Sequence, residues 1–134
     1  MHPIEAEPRN IAAVERALAA LAEGDVAMLA RLLHPDARWN VSPAGILKGR
    51  YRGRDQILGF LAHLADETDG TIRLTSLAAA AAGERVFVLT QAHAVRAGRS
   101  FEWEAVLVFT IADGLATAVD HHLIDYPRFA RFWS

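Results

Sequence analysis

The sequence contains no cysteine, which excludes disulfide bonds, thiolate metal sites and cysteine nucleophiles. An excess of either charge is also lacking, because 14 Lys and Arg residues face 16 Asp and Glu residues, giving a formal net charge of -2. Without a basic excess, neither nucleic acid nor an anionic membrane surface is expected as a partner. We therefore expect recognition to depend on a shaped site rather than on bulk charge.

Long hydrophobic runs are absent too. The longest apolar stretch, residues 77–83, is mostly alanine and falls far short of the roughly 20 residues that span a bilayer. The first ten residues carry acidic side chains early and lack the basic-then-apolar layout of a signal peptide. A cytoplasmic protein is therefore expected. Its 134 residues, 52% of them hydrophobic, predict a single domain over 1–134 with room for a core and a pocket.

The first half of the chain has helical periodicity. Apolar residues recur at steps of three and four from Ile11 to Leu21, which predicts a helix that Gly24 ends. A second, shorter helix is predicted between Asp25 and the His34-Pro35 pair, and a third from Asp55 to Gly70. Between them we expect a short strand over 37–41 and a loop over 42–53.

After Gly70 the period changes to two. Strands are predicted over 71–82, 85–96, 99–112 and 115–124, followed by a short aromatic helix over 126–133. Asp113-Gly114 is a strong two-residue hairpin signal and Ala97-Gly98 a weaker one. The sequence thus predicts helices first and then an antiparallel meander.

These two turns fix a predicted register. The Ala97-Gly98 turn sets His93 opposite Glu102, and the Asp113-Gly114 turn sets His121 opposite Val106. One face of the sheet then carries Phe87, Leu89, Gln91, His93, Glu102, Glu104, Val106, Val108, Val119 and His121. The more apolar face, which suits a core against helices, carries Val86, Val88, Ala92, Ala94, Phe101, Trp103, Ala105, Leu107, Phe109, Ala116, Ala118, Asp120 and His122.

Asp120 and His122 form the sharpest chemical signal in this pattern. A carboxylate and an imidazole two residues apart on one strand face lie about 7 Å apart between their α-carbons, and can work as an acid-base pair in an apolar pocket. The alternative is structural, with Asp120 bridging to a loop and His122 serving as a satisfied core histidine. A single-residue bulge in the last strand would bring His121 inwards instead.

Aromatic side chains are candidates for the wall of the same pocket. We assign substrate contacts to Trp39 with its neighbour Asn40, to Tyr51 and to Trp103, although plain core packing also explains these aromatics. No histidine pair has metal-ligand spacing, and neither a GxSxG elbow nor a GxGxxG turn is present. Neither a metal nor another cofactor is therefore expected.

The order of these segments resembles the nuclear transport factor 2-like superfamily and, within it, the SnoaL-like, ketosteroid-isomerase-related proteins. The resemblance rests on a helix, Gly24-Asp25, a second helix, "LLHPDARWNV", a loop ending "YRGRDQI", a third helix, and strands ending "VFTIADG" before a terminal "FW". It implies an α+β, cone-shaped fold in which three N-terminal helices pack on a curved, mostly antiparallel sheet that encloses a pocket. It also implies a homodimer through the outer sheet face, here Phe87, Leu89, Val106, Val108 and Val119.

The resemblance implies less about activity, because the superfamily includes isomerases, cyclases, epoxide hydrolases, dehydratases and non-catalytic binding proteins. Val41 stands where ketosteroid isomerases have their proton-shuttling aspartate, and Ala17 stands near their oxyanion-binding tyrosine, so the known steroid mechanism is disfavoured. SnoaL-like cyclases imply acid-base work on an apolar or polycyclic substrate, which Asp120 and His122 would perform, with Asp125 as the spare carboxylate. The two hypotheses are a cofactor-independent isomerase, cyclase or hydrolase and a non-catalytic ligand-binding module.

Overall fold

Helices occupy the first half of the chain and strands most of the second half, as the periodicity predicts. The computed structural model describes residues 3–43 and 49–133, so residues 44–48 of the predicted loop lie outside the described part. The helices are α1 (Pro3–Ala22), α2 (Ala27–Leu32), α3 (Arg54–Glu67) and α4 (Tyr126–Trp133). The strands are β1 (Leu33–Ser42), β2 (Arg50–Arg52), β3 (Arg73–Ala82), β4 (Arg85–Arg96), β5 (Arg99–Ala112) and β6 (Leu115–Leu123).

The six strands form one mixed sheet in the order β2-β1-β6-β5-β4-β3. β1 and β6 run parallel, and the other neighbours are antiparallel. The predicted hairpin turns are confirmed, since Ala97 and Asp113 have φ of 52° and the glycine after each has φ of 77° or 80°. Positive φ at both central residues is the geometry that matches the twist of paired strands. The α+β fold with N-terminal helices on a curved sheet is therefore confirmed.

One face of the sheet packs against the helices, and we call it the interior face. Val14 and Leu18 of α1 and Ile57 of α3 are fully or almost fully buried against it. The sheet contributes Val86, Val88, Leu107, Phe109 and Val119, each at most 1% exposed. The core thus forms where the helical apolar stripes meet the apolar alternation of the strands. No helix within residues 3–43 and 49–133 combines the length and hydropathy needed to cross a bilayer.

Two strand predictions around β1 differ from the structure. α2 ends at Leu32, and β1 begins at Leu33, four residues earlier than expected, with a register irregularity between Leu33 and Arg38 that accommodates Pro35. The short strand β2 lies inside the predicted loop and pairs Tyr51 with Trp39. Three residues flanked by glycines carry too little periodicity to predict a strand. The pairing nevertheless brings Tyr51 beside Trp39.

A bulge in β6 overturns the predicted register at its C-terminal end. Ala112 pairs with Leu115 and Ile111 with Ala116. The preceding residue of β5, Thr110, then pairs with Ala118, so Thr117 has no cross-strand partner in the register. The Thr117 hydroxyl donates to the Thr110 carbonyl oxygen at 3.3 Å. One extra residue reverses the facing of everything after it, because successive strand side chains alternate. His121 therefore pairs with Leu107 rather than with Val106.

Candidate active site

His121, not His122, lies on the interior face. Its cross-strand neighbours are Leu107 of β5 and Val41 of β1, which are both buried. Asp120 and His122 pair with Val108 and Val106 on the opposite, outer face, where Asp120 is half-buried and His122 is exposed. The expectation that Asp120 and His122 project inwards is therefore wrong, and so is the assignment of Val119 to the outer face and of Ala118 to the interior face. A catalytic role for that pair stays a prediction, but it has lost the register on which it was based.

Trp39 holds the imidazole of His121. The two strands β1 and β6 are parallel neighbours, and the indole Nε1–H of Trp39 donates to Nδ1 of His121 at 3.3 Å. The two rings meet edge to face, with centroids 5.9 Å apart and an interplanar angle of 74°. Trp39 is 2% exposed and His121 is partly buried, so this hydrogen bond forms at the margin of the core. The orientation of the imidazole is set by a donor that cannot itself accept a hydrogen bond.

The same environment keeps His121 uncharged. Burial, together with the nearby His122, lowers the pKa of His121 from 6.5 to about 4. A second proton would sit on Nδ1, facing the indole N–H of Trp39. Because Nδ1 accepts from Trp39, the single proton of the neutral ring is on Nε2. None of the described residues takes a hydrogen bond from that Nε2–H.

Aromatic rings surround the Trp39–His121 pair. Phe109 and Phe60 contact the Trp39 ring at centroid distances of 6.5 Å and 6.2 Å. Tyr51 stacks on Phe60 at 4.3 Å, and burial raises the pKa of the Tyr51 hydroxyl. Trp39 and Tyr51 therefore lie on the interior side, as predicted for substrate contacts, whereas Phe60 of α3 was missed. Its helical spacing with Ile57 and Leu64 indicated core packing only.

Asn40 and Asp120 form a pair of their own on the outer face. The side-chain amide of Asn40 donates to a carboxylate oxygen of Asp120 at 3.1 Å, across the parallel β1–β6 pair. This contact gives the Asp120 carboxylate a structural partner, although that partner is an amide on strand β1 and not the loop that the structural alternative expected. Asn40 thus does not face the interior beside Trp39, because adjacent residues on a strand point to opposite faces.

Trp103 and Asp125 lie away from His121. Trp103 is on the interior face of β5, where it packs against Phe129 and Trp133 of α4 at centroid distances of 5.5 Å and 6.1 Å. Asp125 is exposed in the turn after β6, with φ of 55°. Both line a cavity of about 220 Å³ with Gln91 and Arg128. A cavity of about 730 Å³ lies elsewhere, between α1 and the β3–β4 and β5–β6 turns.

The described side chains do not gather metal ligands. Over residues 3–43 and 49–133, no three His, Asp or Glu side chains lie close enough together to hold an ion. Every carboxylate with a described side chain is exposed except those of Glu7 and Asp120. Glu7 accepts from the backbone N–H of Gly83 at 2.8 Å, and Asp120 is on the outer face. Apart from Tyr51, His121 is therefore the main ionisable group among the described residues of the interior face.

Known proteins resemble this chain over most of its length. An uncharacterized protein of Mycobacterium tuberculosis is 29% identical over 123 residues, which cover 90% of this chain and 93% of that protein. The structure of Bal32a, from a soil-derived mobile gene cassette, has a TM-score of 0.90 and 25% identity, over 96% of this chain and 98% of that chain. The structure of TerC co-crystallized with polyporic acid has a TM-score of 0.81 and 27% identity, over 92% and 97%.

The family can be identified from these comparisons. The profile of the SnoaL-like domain matches residues 14–119, which is more than three quarters of the chain. The nuclear transport factor 2-like superfamily indicated by the sequence is confirmed by the solved structures. The matched segment stops before His121 and α4, so the family does not by itself assign a role to either. The chain belongs to the SnoaL-like domain family.

Proposed function

We propose that this protein binds a small, largely apolar organic molecule against its interior face and holds an oxygen atom of that molecule on Nε2–H of His121. The observation that carries the proposal is the hydrogen bond from Trp39 to Nδ1, which leaves Nε2–H as the donor. The low pKa of about 4 keeps this donor uncharged at neutral pH. An uncharged donor can stay buried next to an apolar ligand without the cost of burying a charge.

A donor of this kind has a definite chemical use. When a ketone enolises, negative charge develops on its oxygen, and a preorganised hydrogen bond stabilises that charge more than it stabilises the ketone. His121 would therefore polarise a carbonyl group rather than remove a proton, because its only lone pair is already engaged by Trp39. In this form of the proposal the protein is a cofactor-independent isomerase, cyclase or hydrolase whose substrate proton leaves to water.

The aromatic surroundings favour a ring-containing ligand. Trp39, Tyr51 and Phe60 offer ring faces and edges within one cluster, which suits flat apolar molecules. TerC, which shares the fold and 27% of aligned residues, has been co-crystallized with polyporic acid. That neighbour supports a small organic ligand as the occupant of this fold.

A non-catalytic binding module is the second candidate. It is favoured by the distribution of carboxylates, since none with a described side chain lies on the interior face to act as a general base. Binding needs only shape, apolar area and a few polar contacts, and His121 with its aromatic neighbours offers the apolar area and a polar contact. The two candidate functions share one site. They differ in whether a bound ketone enolises faster than the same ketone in free solution.

One experiment separates them. 1-Tetralone and tetralin have the same ring system, but only the ketone can accept a hydrogen bond. We expect the wild-type protein to bind 1-tetralone about five- to tenfold more tightly than tetralin, the value of one net hydrogen bond. Exchange of the protons next to the carbonyl, followed by NMR in D₂O, then tests catalysis. Faster exchange in the complex supports the enzyme, and unchanged exchange supports the binding module.

Matched variants test the role of His121. In His121→Asn the side-chain oxygen can still accept from Trp39, but the Nε2–H donor is lost. We expect this variant to bind both probes equally, whereas His122→Asn, on the outer face, keeps the preference for the ketone. Equal affinities for both probes in the wild-type protein, or a retained preference in His121→Asn, would contradict the proposal.

A further inference from the structure

The larger of the two cavities described above lies apart from His121 and its aromatic neighbours. Its volume is about 730 Å³, and it is enclosed by one side of α1 and by the β3–β4 and β5–β6 turns. We call this space the α1 cleft. Its volume falls in the range of small-molecule sites in proteins. Because no residue of the proposed His121 site lines the α1 cleft, an occupant there would be a second ligand.

The α1 cleft exists because the side of α1 that faces the turns carries small residues. Ala6, Asn10 and Ala13 follow one another at steps of four and three, so they share one side of the helix and line the cleft. The adjacent side of the helix packs into the core through Val14, which is fully buried. The floor of the cleft is apolar, since Ile111 lines it and is 3% exposed.

Hydrogen bonds hold the walls of the α1 cleft in place. The side chain of Glu7, on α1, accepts from the backbone N–H of Gly83 at 2.8 Å, which ties the helix to the β3–β4 turn. The backbone N–H of Ile111 donates to the carbonyl oxygen of Glu84 at 2.8 Å, which ties the same turn to β5. A ligand would therefore enter a preformed cleft.

Opposite charges line the two walls of the α1 cleft. The arginine wall consists of Arg9 and Arg16, which lie two helical turns apart, or about 10.5 Å along α1. The carboxylate wall consists of Glu84 and Asp113 in the turns. All four side chains are exposed at the rim. Among the residues that the structure describes, the one ion pair involves none of these four. The two walls therefore do not neutralise each other by direct contact.

Charge complementarity identifies the kind of ligand that fits both walls. A simple anion would be attracted by the arginine wall and repelled by the carboxylate wall, and a simple cation the reverse. A guanidinium group donates to a carboxylate in a fixed fork geometry, and a carboxylate accepts from an ammonium group. A molecule that carries both charges, one towards each wall, satisfies the whole cleft.

We propose that the α1 cleft binds a small zwitterion with a carboxylate at one end, an ammonium group at the other and an apolar chain between them. The carboxylate accepts from the arginine wall, the ammonium group donates to the carboxylate wall, and the chain lies over Ala13 and Ile111. This site is separate from the proposed function, because it uses different residues and takes a charged ligand.

Three probes with the same six-carbon chain test this inference. 6-Aminohexanoate carries both charges, hexanoate only the negative one and hexylammonium only the positive one. Titration is followed by NMR through the backbone amides of Gly83 and Gly114, which line the cleft. We expect 6-aminohexanoate to bind about two- to fivefold more tightly than either other probe, the value of one exposed ion pair. Added NaCl should remove this preference, because salt screens exposed charges.

Two double variants, each neutralising one wall, should change the preference in opposite directions. Arg9→Gln with Arg16→Gln keeps good helix formers on α1. Glu84→Gln with Asp113→Asn keeps the β5–β6 turn, since asparagine tolerates the positive φ of 52° at position 113. Without the guanidinium groups, we expect hexylammonium to bind at least as tightly as 6-aminohexanoate. Without the carboxylates, we expect the same of hexanoate.

Controls separate the cleft from general charge effects and from the proposed function. Arg31→Gln removes an exposed arginine of α2 that does not line the cleft, so it should keep the wild-type order of affinities. His121→Asn should leave the affinities of all three probes unchanged, so either proposal can fail without the other. If a double variant does not fold, the wild-type order alone decides.

The outcomes that overturn the inference are specific. Wild-type protein that binds hexanoate or hexylammonium as tightly as 6-aminohexanoate, or that binds none of the three, shows that the cleft does not select a zwitterion. A folded double variant that keeps the wild-type order shows that its wall does not contact the ligand.

Discussion

His121 and His122 are adjacent in the sequence and have opposite environments. His121 is partly buried against Leu107 and Trp39 on the interior face, whereas the His122 side chain is exposed on the outer face. The two side chains have the same chemistry, so only the backbone decides which of them can be a neutral donor. The quantity that matters at the scale of single residues is the protonation of the His121 imidazole. It can be measured through the pH dependence of the unfolding free energy.

The stability of the protein is expected to fall as His121 is forced to take up a proton. Its pKa is about 4 in the folded chain and 6.5 for an ordinary histidine, so between these values the unfolded chain binds the proton more readily. The contribution is fully present above pH 6.5 and is lost as the pH falls through 4. We expect a loss of about 3 kcal/mol from this group.

Urea unfolding at pH 7.5, 5.5 and 4.5 checks this loss. We compare the unfolding free energy of wild type with that of His121→Asn at each pH. The pH dependence that comes from the carboxylates cancels in this difference, because both proteins contain them. That difference should shrink steadily towards pH 4. A pH-independent difference for His121→Asn would show that its pKa is not depressed.

For β6, the sequence predicted the bounds of the strand but not its register after Thr117. Its limits were predicted to within one residue, and the β4–β5 register was confirmed as far as His93 opposite Glu102. The two-residue turns fixed these features because Asp-Gly and Ala-Gly adopt positive φ. The unpaired Thr117 could not be predicted, since threonine fits a regular strand as well as a bulge. His121, which the sequence analysis named only as the residue that such a bulge would turn inwards, is for this reason the interior histidine.

Deletion of Thr117 is expected to preserve the site. Thr110 already pairs with Ala118 and Ile111 with Ala116, so removing the extra residue leaves every other pair of the β5–β6 ladder in place. We expect a folded protein that has lost about 1 kcal/mol with the Thr117 hydrogen bond, and an unchanged Trp39–His121 contact by NMR.

Deletion of Val88 is the matched comparison. β4 pairs with β5 without a bulge, so losing one residue there turns the rest of the strand over and exposes its apolar side chains. We expect this variant to be unfolded or aggregated. If the two deletions are equally damaging, the bulge does not control the facing of β6.

The whole molecule carries an apolar outer face that its own helices do not cover. Phe87 is 38% exposed there, and Leu89, Val106 and Val108 are only partly buried. With the corrected register, Ala118, Asp120 and His122 complete this surface in place of Val119 and His121. Exposed apolar patches on a sheet commonly mark association surfaces. A homodimer through this face stays a prediction.

Light scattering tests the dimer at micromolar concentration. We expect a particle of about twice the 14.7 kDa chain mass, and we expect Phe87→Glu to dissociate it because a carboxylate at the patch would be buried without a partner. His121→Asn, on the interior face, should leave the mass unchanged. A wild-type protein with the mass of one chain would contradict the dimer and leave the fold intact.

The hydrogen bond between Trp39 and His121 joins residues 82 positions apart and bridges the parallel pair of β1 and β6. Contacts of such separation form slowly, because a long loop must close before they contribute any stability. During synthesis on the ribosome, β1 cannot pair with β6 until nearly the whole chain has been made. Until then the indole of Trp39 lacks its acceptor, the imidazole of His121. The site is therefore absent from every nascent chain that ends before β6. Its formation reports that β1 has paired with β6.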